Sequence, residues 1–561
     1  MTSPDTVAIE TDVLIVGGGL AGLSAAIAAA ERGARVAILE KAGIERSGAI
    51  GGGVDHFIAY LEAGEPWDTR DAYLRWIGTM ARGAVDLRVH NAIYCRELKA
   101  AIERLARIGN PLTQPDGTYY RTAALGMPGP YAVNFNGKHL KPRLAKVVRG
   151  LGCQVMDRVA TTNLLCNGGR VAGAMGFQIR TGEFVVAQAK ATVVTTGRVD
   201  RLFENPTGIH FNTWQCPSDV GAAQAMAFRA GAALANMEYL RITVVPKGFA
   251  AAGLNALTGM GGRFINAMGE QFMARYDPRG DKAPRYRLAQ AVMEENHAGR
   301  GPVFIDCRQL TAKQMEHLYA TLSYDKDTLP DFLAQKGIDL AKDPVEVMAA
   351  EGHLGGPAEG VGSGLVIDET CGSTLEGLFA AGDCTNAAST ASPAVTSGCA
   401  AGKAAAAYAL KAQQGQPSRE QVEAEREWVV APLRRKEGIL PREMEETAAR
   451  IMWQQVGPAR TEAGMRAGLD KLLRLEAHLD QLRARDLHEL MRANEVRDLL
   501  LIGKIMATAA LYRRESRFGI YHRRLDCPEM EDAWNGQVRV KNEGGRIAVS
   551  FCPLSAEVPE P

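Results

Sequence analysis

A glycine-rich turn between two apolar runs places the strongest constraint on the fold of this chain. The run Val13–Val16 is typical of a buried parallel strand, and an alanine-rich segment that ends at Gly33 predicts a helix. A second apolar run follows and ends at Glu40. The sequence therefore predicts a strand, turn, helix and strand unit, which is the start of a Rossmann-like α/β domain.

The glycines of this turn have the spacing of a dinucleotide-binding fingerprint. Gly17, Gly19 and Gly22 fit G-x-G-x-x-G, and Glu40 follows about 20 residues downstream. Gly17 permits the tight turn, Gly19 lets a pyrophosphate approach the backbone, and Gly22 lets the helix lie close to the strand. We expect the helix N-terminus to bind the phosphates and Glu40 to accept hydrogen bonds from a ribose. This spacing also occurs in ordinary glycine-rich turns, but here the strand, the helix and the acid all agree with it.

Length, charge and cysteine spacing limit the class of protein. A chain of 561 residues with 46% hydrophobic residues is long enough for two or three domains. Its net charge of +1 argues against binding to nucleic acid or to a membrane surface. No apolar run is long enough to span a membrane, and residues 1–10 lack the features of a signal peptide, so we expect a cytoplasmic protein. The ten cysteines are scattered, which predicts reduced thiols and no metal site.

A second segment rich in small residues, Glu45–Gly53, follows the second predicted strand. Its glycines allow backbone contacts to a large flat ligand, where side chains would collide. Its position beside the first glycine turn favours this interpretation over a flexible surface loop. The cofactor-binding candidates in this region are Lys41, Ser47, Gly48, Gly51 and Gly52.

Later strand ends identify the expected dinucleotide. Residues 159–187 predict a β-meander, and Ala160, in its first strand, is a further cofactor-binding candidate. A separate buried strand is expected to end at Thr196–Gly197, and another ends at Gly382–Asp383. A nicotinamide dinucleotide has no need of these additional strand ends. FAD does, because Asp383 can bind the hydroxyl groups of its ribityl chain.

A small-residue helix is expected to begin at Gly398, directly after Ser397. The N-terminus of such a helix would stabilise the negative charge that develops on a flavin ring during reduction. Close helix packing is a compatible interpretation of the same residues. Ser397 therefore joins the cofactor-binding candidates.

Two other regions have helical patterns. Residues 69–107 predict a helical stretch that ends before Gly109–Pro111. Beyond a linker near residue 415, leucines recur on one face between Leu469 and Leu490, which predicts a bundle of two or three helices. A small β-rich tail is expected at Gln537–Phe551.

The fingerprint, Thr196–Gly197 and Ala381–Asp383 together resemble the FAD domain of the fumarate reductase, succinate dehydrogenase, aspartate oxidase and adenylylsulfate reductase flavoproteins. The resemblance extends from about Thr11 to about Trp534. It implies FAD as cofactor and a mobile α+β capping domain inserted into the FAD-binding domain. The implied organisation is a FAD-binding domain at 1–235 and 351–412, a capping domain at 236–350, and a C-terminal helical domain with its β-rich tail at 413–561.

Three motifs separate the members of this family. Fumarate reductases and succinate dehydrogenases bond FAD covalently to a histidine where this chain has Gly48, so the resemblance implies noncovalent FAD. The Arg46–Ala49 form is similar to that of adenylylsulfate reductase α subunits. The His-Pro-Thr-Gly motif expected after Met237–Glu238 is missing, and so is the substrate-clamping arginine that fumarate reductases place after Gly-Asp. The resemblance is therefore closest to adenylylsulfate reductase α subunits.

Two positions match catalytic residues of the family. Arg285 lines up with the capping-domain arginine that serves as acid and anion clamp, with Arg287 and a solvated helix face as the alternatives. His353, between glycines, lies where the family places a substrate-facing histidine. An imidazole there could bind an anion or move a proton, whereas a structural histidine is the alternative.

The resemblance implies an oxidoreductase that exchanges two electrons between noncovalent FAD and a small anionic substrate. The sequence has no cluster or haem motif, so the electrons would pass through a ferredoxin-like iron–sulfur subunit, or directly to oxygen or a quinone. Homo-oligomers and hetero-oligomers are both compatible with the sequence. Two alternatives stay open: an enzyme acting on a carbon–carbon double bond of a small carboxylate, and a noncatalytic FAD electron-transfer subunit.

Overall fold

The computed structural model describes residues 6–123, 126–209, 211–358 and 360–560. The strands are, in chain order, β1 (Thr6–Val16), β2 (Val36–Glu40), β3 (His56–Ile58), β4 (Tyr120–Thr122), β5 (Ala132–Asn134), β6 (Gln154–Asp157), β7 (Val159–Asn167), β8 (Arg170–Gln178), β9 (Phe184–Val194), β10 (Leu234–Ala235), β11 (Leu240–Pro246), β12 (Arg263–Ile265), β13 (Val303–Asp306), β14 (Val345–Leu354), β15 (Gly364–Leu365), β16 (Leu378–Ala380), β17 (Gly536–Glu543) and β18 (Arg546–Pro553).

The α-helices are, in chain order, α1 (Leu20–Ala30), α2 (Arg70–Ala81), α3 (Leu87–His90), α4 (Arg96–Arg107), α5 (Leu140–Gly150), α6 (Ala222–Arg229), α7 (Leu254–Gly259), α8 (Arg285–His297), α9 (Ala312–Leu322), α10 (Thr328–Lys336), α11 (Ala391–Ala409), α12 (Arg419–Arg434), α13 (Pro441–Val456), α14 (Glu462–Glu476) and α15 (Leu487–Tyr512). A π-helical turn, Asn91–Cys95, joins α3 to α4.

The largest sheet is built around β1. Its strand order is β6-β2-β1-β9-β8-β7, and β16 also pairs with β9. The pairs that join β6, β2, β1, β9 and β16 are all parallel. The four residues Val13–Val16 are buried, and α1 and α11 pack against this sheet and against each other. Because these strands are parallel, their carboxyl ends lie at one edge of the sheet.

A single strand, β9, replaces two predicted strands. It pairs antiparallel with β8 over its first half and parallel with β1 along most of its length. The residues Gln188–Lys190, between the two predicted runs, include neither glycine nor proline. The extended chain therefore continues without a turn. Thr196–Gly197 then follow the carboxyl end of the same strand that closes the meander.

A second, antiparallel sheet has the strand order β11-β14-β13-β12. Helix α8 packs against β11 and β14. Arg241 of β11 and His353 of β14 are directly paired in the register of this sheet. Since β14 continues to Leu354, the strand passes the boundary expected at residue 350, and we propose that the capping domain extends to Leu354.

The helical stretch expected at Thr69–Arg107 is divided. Arg82 and Gly83 take left-handed backbone conformations, with φ of 41° and 82°, and end α2. The Asp86 carboxylate then accepts a hydrogen bond from Arg88 N at 3.0 Å and caps α3. A left-handed glycine and an aspartate cap are ordinary helix end and start signals, so the division was readable in the sequence.

Four helices, α12–α15, form the C-terminal region instead of the two or three expected. Helices α13, α14 and α15 pack against one another, and α12 packs against α15 and β7. Leu472 and Leu490 are buried as the leucine pattern predicts, whereas Leu473 is 47% exposed. The hairpin β17–β18 forms the expected β-rich tail and pairs with β10, which links the tail to the first half of the chain.

All ten cysteines are free thiols. Among the helices of the described ranges, none is both long and apolar enough to cross a membrane.

Candidate functional site

A cavity of about 490 Å³ opens at the carboxyl edge of the main sheet and extends toward β11 and α8. The predicted cofactor-binding residues that line it are Gly17, Gly19, Glu40, Lys41, Ser47, Gly48, Gly51, Gly52, Ala160, Thr196, Gly197, Gly382 and Asp383. Arg285 lines the same cavity. Three predicted residues, Gly22, Ser397 and His353, lie outside the lining.

The first glycine turn is tightly packed on one side and open on the other. A Cβ at Gly22 would lie 2.0 Å from the Gly17 carbonyl oxygen, so only glycine lets α1 lie this close to the turn. At Gly19 the nearest atom would be the Thr195 carbonyl oxygen, at 3.9 Å. Helix α1 begins after Gly19 with neither a side-chain cap nor an acid in its first turn. Its first N–H groups therefore suit a phosphate in the cavity.

Glu40 is fixed at the cavity wall by two backbone donors. Its Oε2 accepts a hydrogen bond from Gly18 N at 2.6 Å, and its Oε1 accepts one from Ala42 N at 2.7 Å. Carboxylate oxygens accept more than one hydrogen bond each, so Glu40 retains the capacity to bind a ribose hydroxyl.

Two lysines hold the cavity loops in place. Lys41 donates to Ser218 O at 2.6 Å and to Glu495 Oε1 at 2.7 Å, which ties the end of β2 to α15. Lys141 donates to Gly18 O, and to Ser47 O and Ser47 Oγ at 3.0 Å each. Burial lowers the pKa of Lys141 to about 8. In the sequence, Lys141 looks like any other basic residue of an amphipathic helix.

Helix α11 begins at Ala391, not at Gly398 as expected, so Ser397 lies inside the helix. The Ser397 hydroxyl donates to Pro393 O at 2.5 Å and accepts a hydrogen bond from Gly382 N at 3.0 Å. Ser397 therefore supports the Gly382 backbone behind the cavity wall and does not line the cavity. The N-terminus of α11 does line it. Pro393, in the first turn, was the sequence signal for the earlier start.

Asp383 lines the cavity in an ion pair that the motifs did not predict. Arg198 Nε lies 3.0 Å from Asp383 Oδ2, and Arg198 Nη2 donates to the same oxygen. Thr390 N donates to Asp383 Oδ1 at 2.9 Å. Burial of Arg198 opposes the charge of its guanidinium, but the nearby Asp383 carboxylate raises the pKa of Arg198 above its usual value. Arg198, which directly follows Thr196–Gly197, is therefore an additional charged residue of the cavity.

His353 lies behind Arg198 and is fully buried, in contrast to the expected substrate-facing position. Its Nε2 is 3.1 Å from Arg198 Nη1, and its Nδ1 is 3.3 Å from Glu351 O. Because arginine can only donate, Nε2 accepts and Nδ1 carries the hydrogen. Burial and the charges of Arg198 and Arg241 hold the pKa of His353 well below its usual range. The imidazole is therefore neutral, and in this structure it orients Arg198 from outside the cavity.

Arg285 begins α8 and is 8% exposed. Its Nη1 donates to Thr243 Oγ1 at 2.9 Å, and its Nη2 donates to Asn255 Oδ1 at 3.1 Å. Arg287 instead donates to Gln290 Oε1 within the same helix and is outside the cavity lining. The structure therefore favours Arg285 over Arg287 as the arginine that faces a ligand.

The wall near Arg285 carries further polar residues that sequence motifs did not identify. Arg241 is paired with His353 in the register of the sheet and lines the same cavity as Arg285, and both guanidinium charges lower the pKa of His353. Such a concentration of positive charge in a cavity attracts anions. Other lining residues that the motifs did not identify include His56, Asp55, Asn255, Trp214, Asp219, Asp325 and Lys326.

The cavity fits a long dinucleotide with a flat ring. One end offers the Gly17–Gly19 backbone, the α1 N-terminus and the Glu40 carboxylate, which suit a pyrophosphate and a ribose. Farther along, the cavity is lined by the loop Ser47–Gly53, in which four of the seven residues are glycine. Gly48 has φ of +74°, a conformation that residues with side chains rarely adopt. These residues fit FAD, which supplies two-electron redox chemistry when bound.

Comparisons with known proteins agree with this fit. Residues 12–400 match the family model described as FAD binding domain, and residues 445–559 match the one described as fumarate reductase flavoprotein C-term. A fumarate reductase (CoM/CoB) subunit from Methanothermobacter marburgensis is 27% identical over 94% of this chain and 96% of that protein. The succinate dehydrogenase flavoprotein subunit of Coxiella burnetii is 26% identical over 93% of both chains.

Among solved structures, adenylylsulfate reductase from Archaeoglobus fulgidus superposes with a TM-score of 0.90. It is 25% identical and covers 99% of this chain and 97% of its own. The glycine turn, the cavity and these matches over nearly the whole chain lead to one conclusion. The chain belongs to the flavoprotein family of fumarate reductases, succinate dehydrogenases and adenylylsulfate reductases, and it is an FAD-dependent oxidoreductase.

Proposed function

We propose that this protein is a catalytic flavoprotein subunit that exchanges two electrons between noncovalent FAD and a small anionic substrate bound at Arg285. The observation that carries the proposal is the position of Arg285, which lines the far end of the cofactor cavity and is oriented there by Thr243 and Asn255. A guanidinium presents a planar fork that matches the oxygens of a carboxylate, a sulfate or a phosphate.

Noncovalent attachment of FAD is supported by Gly48. This position faces the cavity and has no side chain that could bond to the cofactor. FAD would then be held by the glycine turn, by Glu40 and by the backbone of the loop Ser47–Gly53. Denaturation should release it from the polypeptide.

Adenylyl sulfate, or a sulfur oxyanion of the same class, is the first substrate candidate. The Arg46–Ala49 sequence is similar to that of adenylylsulfate reductase α subunits, and the TM-score of 0.90 with the Archaeoglobus enzyme agrees with it. The missing His-Pro-Thr-Gly motif and the missing arginine after Gly382–Asp383 also favour this class over dicarboxylates.

A small unsaturated carboxylate is the second candidate. It is supported by the fumarate reductase and succinate dehydrogenase relatives and by a second guanidinium, Arg241, which lines the same cavity as Arg285. Arg241 could hold one carboxylate in place of the missing arginine.

We also propose an iron–sulfur protein as the electron-transfer partner, in the cytoplasm. The sequence has no spacing that would bind a cluster, and the two named relatives are themselves subunits. A partner would therefore be needed to carry electrons between FAD and a distant donor or acceptor.

Flavin absorbance tests the two substrate classes. Sulfite with AMP should bleach the oxidised holoenzyme if adenylyl sulfate is the product, with sulfite alone as the control for a sulfite–flavin adduct. Fumarate should reoxidise the photoreduced holoenzyme anaerobically if an unsaturated carboxylate is the substrate. A flavin that responds to neither reagent would overturn both candidates and favour a noncatalytic electron-transfer subunit.

A further inference from the structure

A histidine–carboxylate pair faces the cavity from the start of β3. His56 Nδ1 lies 2.6 Å from Asp55 Oδ1, and both residues line the same cavity as Arg285. The His56 side chain is 21% exposed, so its ring is sheltered but still accessible from the cavity. Neither residue belongs to the glycine fingerprint or to the segment around Arg285 that the sequence analysis identified.

The hydrogen bonds of Asn255 indicate which nitrogen of His56 is basic. Asn255 Oδ1 accepts from Arg285 Nη2, so the amide nitrogen of Asn255 is the group that faces His56. That nitrogen lies 3.4 Å from His56 Nε2. An amide nitrogen can only donate, so in the neutral ring Nε2 is the acceptor and Nδ1–H donates to Asp55. Asp55 therefore fixes the orientation and the tautomer of the His56 ring through Nδ1.

The pair and the anion-binding arginine come from different parts of the chain. In the FAD-binding half, Asp55 directly precedes β3 and His56 is its first residue. Asn255 lies in α7, and Arg285 is the first residue of α8. The Asn255 side chain contacts both His56 and Arg285, the proposed anion-binding residue, and so bridges the two in space. A substrate held by Arg285 would lie within the same end of the cavity as His56 Nε2.

Other charged groups also face this pair. Asp325 and Lys326, on the loop after α9, line the cavity, and Arg285 faces the pair from α8. Burial, together with the nearby charge of Asp55, raises the pKa of Asp325 to about 7. Although burial opposes its ionisation, Asp55 has a lowered pKa because His56 is next to it. A test of His56 must therefore separate its titration from that of Asp325.

We propose that His56 exchanges a proton with the substrate bound at Arg285, with Asp55 as the residue that positions its ring. This inference rests on the proposed function. In the reducing direction, the His56 Nε2–H bond breaks and a new bond to hydrogen forms on the substrate atom that becomes electron-rich when the electron pair arrives. Since two donors repel, Nε2–H faces the substrate only when the Asn255 amide has turned away from it. After the transfer, His56 is neutral, Nε2 accepts from Asn255 again, and the ring regains a proton from solvent, while Asp55 stays ionised. In the oxidising direction, neutral His56 removes the proton as the electron pair leaves. Bound FAD is the source or the acceptor of that pair.

Sulfate binding to the holoenzyme tests whether His56 titrates toward a bound anion. Sulfate is a useful probe because it stays fully ionised between pH 5.5 and 8.5, and its binding can be followed through the flavin absorbance. If His56 faces the anion, its protonation should raise sulfate affinity by about tenfold as the pH falls across this range. In a chain that also carries Asp325→Asn, His56→Gln should remove this pH dependence and leave a flat affinity. Asp55→Asn should move the transition to lower pH, because the ring loses its carboxylate partner.

Three control variants make the outcomes distinguishable. Asp325→Asn should keep the His56 transition, and His478→Gln, an exposed histidine outside the cavity lining, should behave as wild type. Arg285→Gln should weaken sulfate binding at every pH while the transition remains. A transition that persists in the double variant His56→Gln with Asp325→Asn, with Arg285 still required, would overturn the role of His56 and leave the proposed function standing. Sulfate binding that is unaffected by Arg285→Gln would instead overturn the anion site of the proposed function.

Turnover provides a second measurement. With fumarate or adenylyl sulfate, whichever is turned over, His56→Gln should lower kcat by about 100-fold at its pH optimum, with little change in KM. Asp55→Asn should shift the pH profile of kcat and should lower kcat less than His56→Gln does. An unchanged kcat and pH profile in His56→Gln would show that the pair only shapes the β3 loop.

Discussion

Arg285 illustrates how the role of a single residue at this site depends on what its side chain contacts. Arg285 and Arg287 are two positions apart on α8, and the sequence motif fits either. Arg285 faces Thr243, Asn255 and the cavity, whereas Arg287 faces Gln290 on its own helix. His353 shows the converse case, since a residue expected to face the substrate is buried behind Arg198.

Replacement of Arg285 tests its assignment at this scale. Arg285→Gln should lower the rate of flavin reduction or reoxidation by substrate at least about 100-fold, because a fixed charge that holds the anion is lost. FAD should remain bound, since the hydrogen bonds of Arg285 go to Thr243 and Asn255, which are not part of the glycine turn. Stopped-flow absorbance measures the rate, and the flavin-to-protein ratio measures FAD occupancy. Arg287→Gln is the matched control and should react at nearly the wild-type rate; equal effects of the two changes would remove Arg285 from its proposed role.

At the scale of elements, the first strand, turn and helix separate two functions of glycine. A side chain at Gly22 would collide with the protein itself, since a Cβ would lie 2.0 Å from Gly17 O. A side chain at Gly19 would meet no protein atom closer than 3.9 Å, but it would extend toward the space proposed for the pyrophosphate. One glycine is therefore required for packing and the other for cofactor binding.

Two alanine variants test this distinction. Gly22→Ala should lower both FAD affinity and stability, by about 1–3 kcal/mol for the overpacked helix. Gly19→Ala should weaken FAD binding at least about tenfold, while the free energy of unfolding of the apoprotein stays within about 0.5 kcal/mol of wild type. Fluorescence titration with FAD and denaturant unfolding of the apoprotein measure the two quantities. Normal FAD affinity in Gly19→Ala would contradict the proposed pyrophosphate position.

At the scale of the whole molecule, buried ion pairs join the C-terminal helices to the cofactor-binding half. Glu495 of α15 accepts from Lys41 at 2.7 Å and from Arg201 at 2.6 Å. Burial opposes the charge of Glu495, but Arg201 and Lys41 lower its pKa to about 2. Lys41 lines the cavity, so these pairs connect the helical region to the FAD site.

The pH dependence of stability tests this connection. The folded-state pKa of Glu495 lies below its ordinary value, so its contribution is present above about pH 4.5 and is lost as the pH falls toward 2. At pH 7, Glu495→Gln should cost about 3 kcal/mol of unfolding free energy, and the difference from wild type should shrink with acidification below pH 4.5. Denaturant unfolding at pH 7 and at pH 4 measures the change. Glu427→Gln, which removes an exposed pair with Arg434, should change stability by less than about 1 kcal/mol at either pH. A constant difference for Glu495→Gln over this range would contradict the assignment.

The sequence by itself determined those strands, turns and helices that depend only on residues close together in the chain. Apolar runs, the G-x-G-x-x-G turn and the acid at Glu40 specify the first βαβ unit, because strand burial, tight turns and helix starts depend on neighbouring residues. Gly17, Glu40, Thr196 and Gly382 lie at the ends of parallel strands. Because the carboxyl ends of parallel strands share one edge of a sheet, these residues could be placed together from the sequence. The FAD-dependent family follows from these units together.

Only the tertiary structure decided which side chains meet in the cavity. Asp55, His56, Asn255 and Arg285 come from distant segments, and their hydrogen bonds depend on how those segments pack. The start of α11 and the burial of His353 were likewise missed, because small residues carry little periodic signal and the depth of a histidine is set by the elements around it. Long-range packing has no fixed spacing in the chain, and so the charged end of this cavity could not be derived from the order of residues alone.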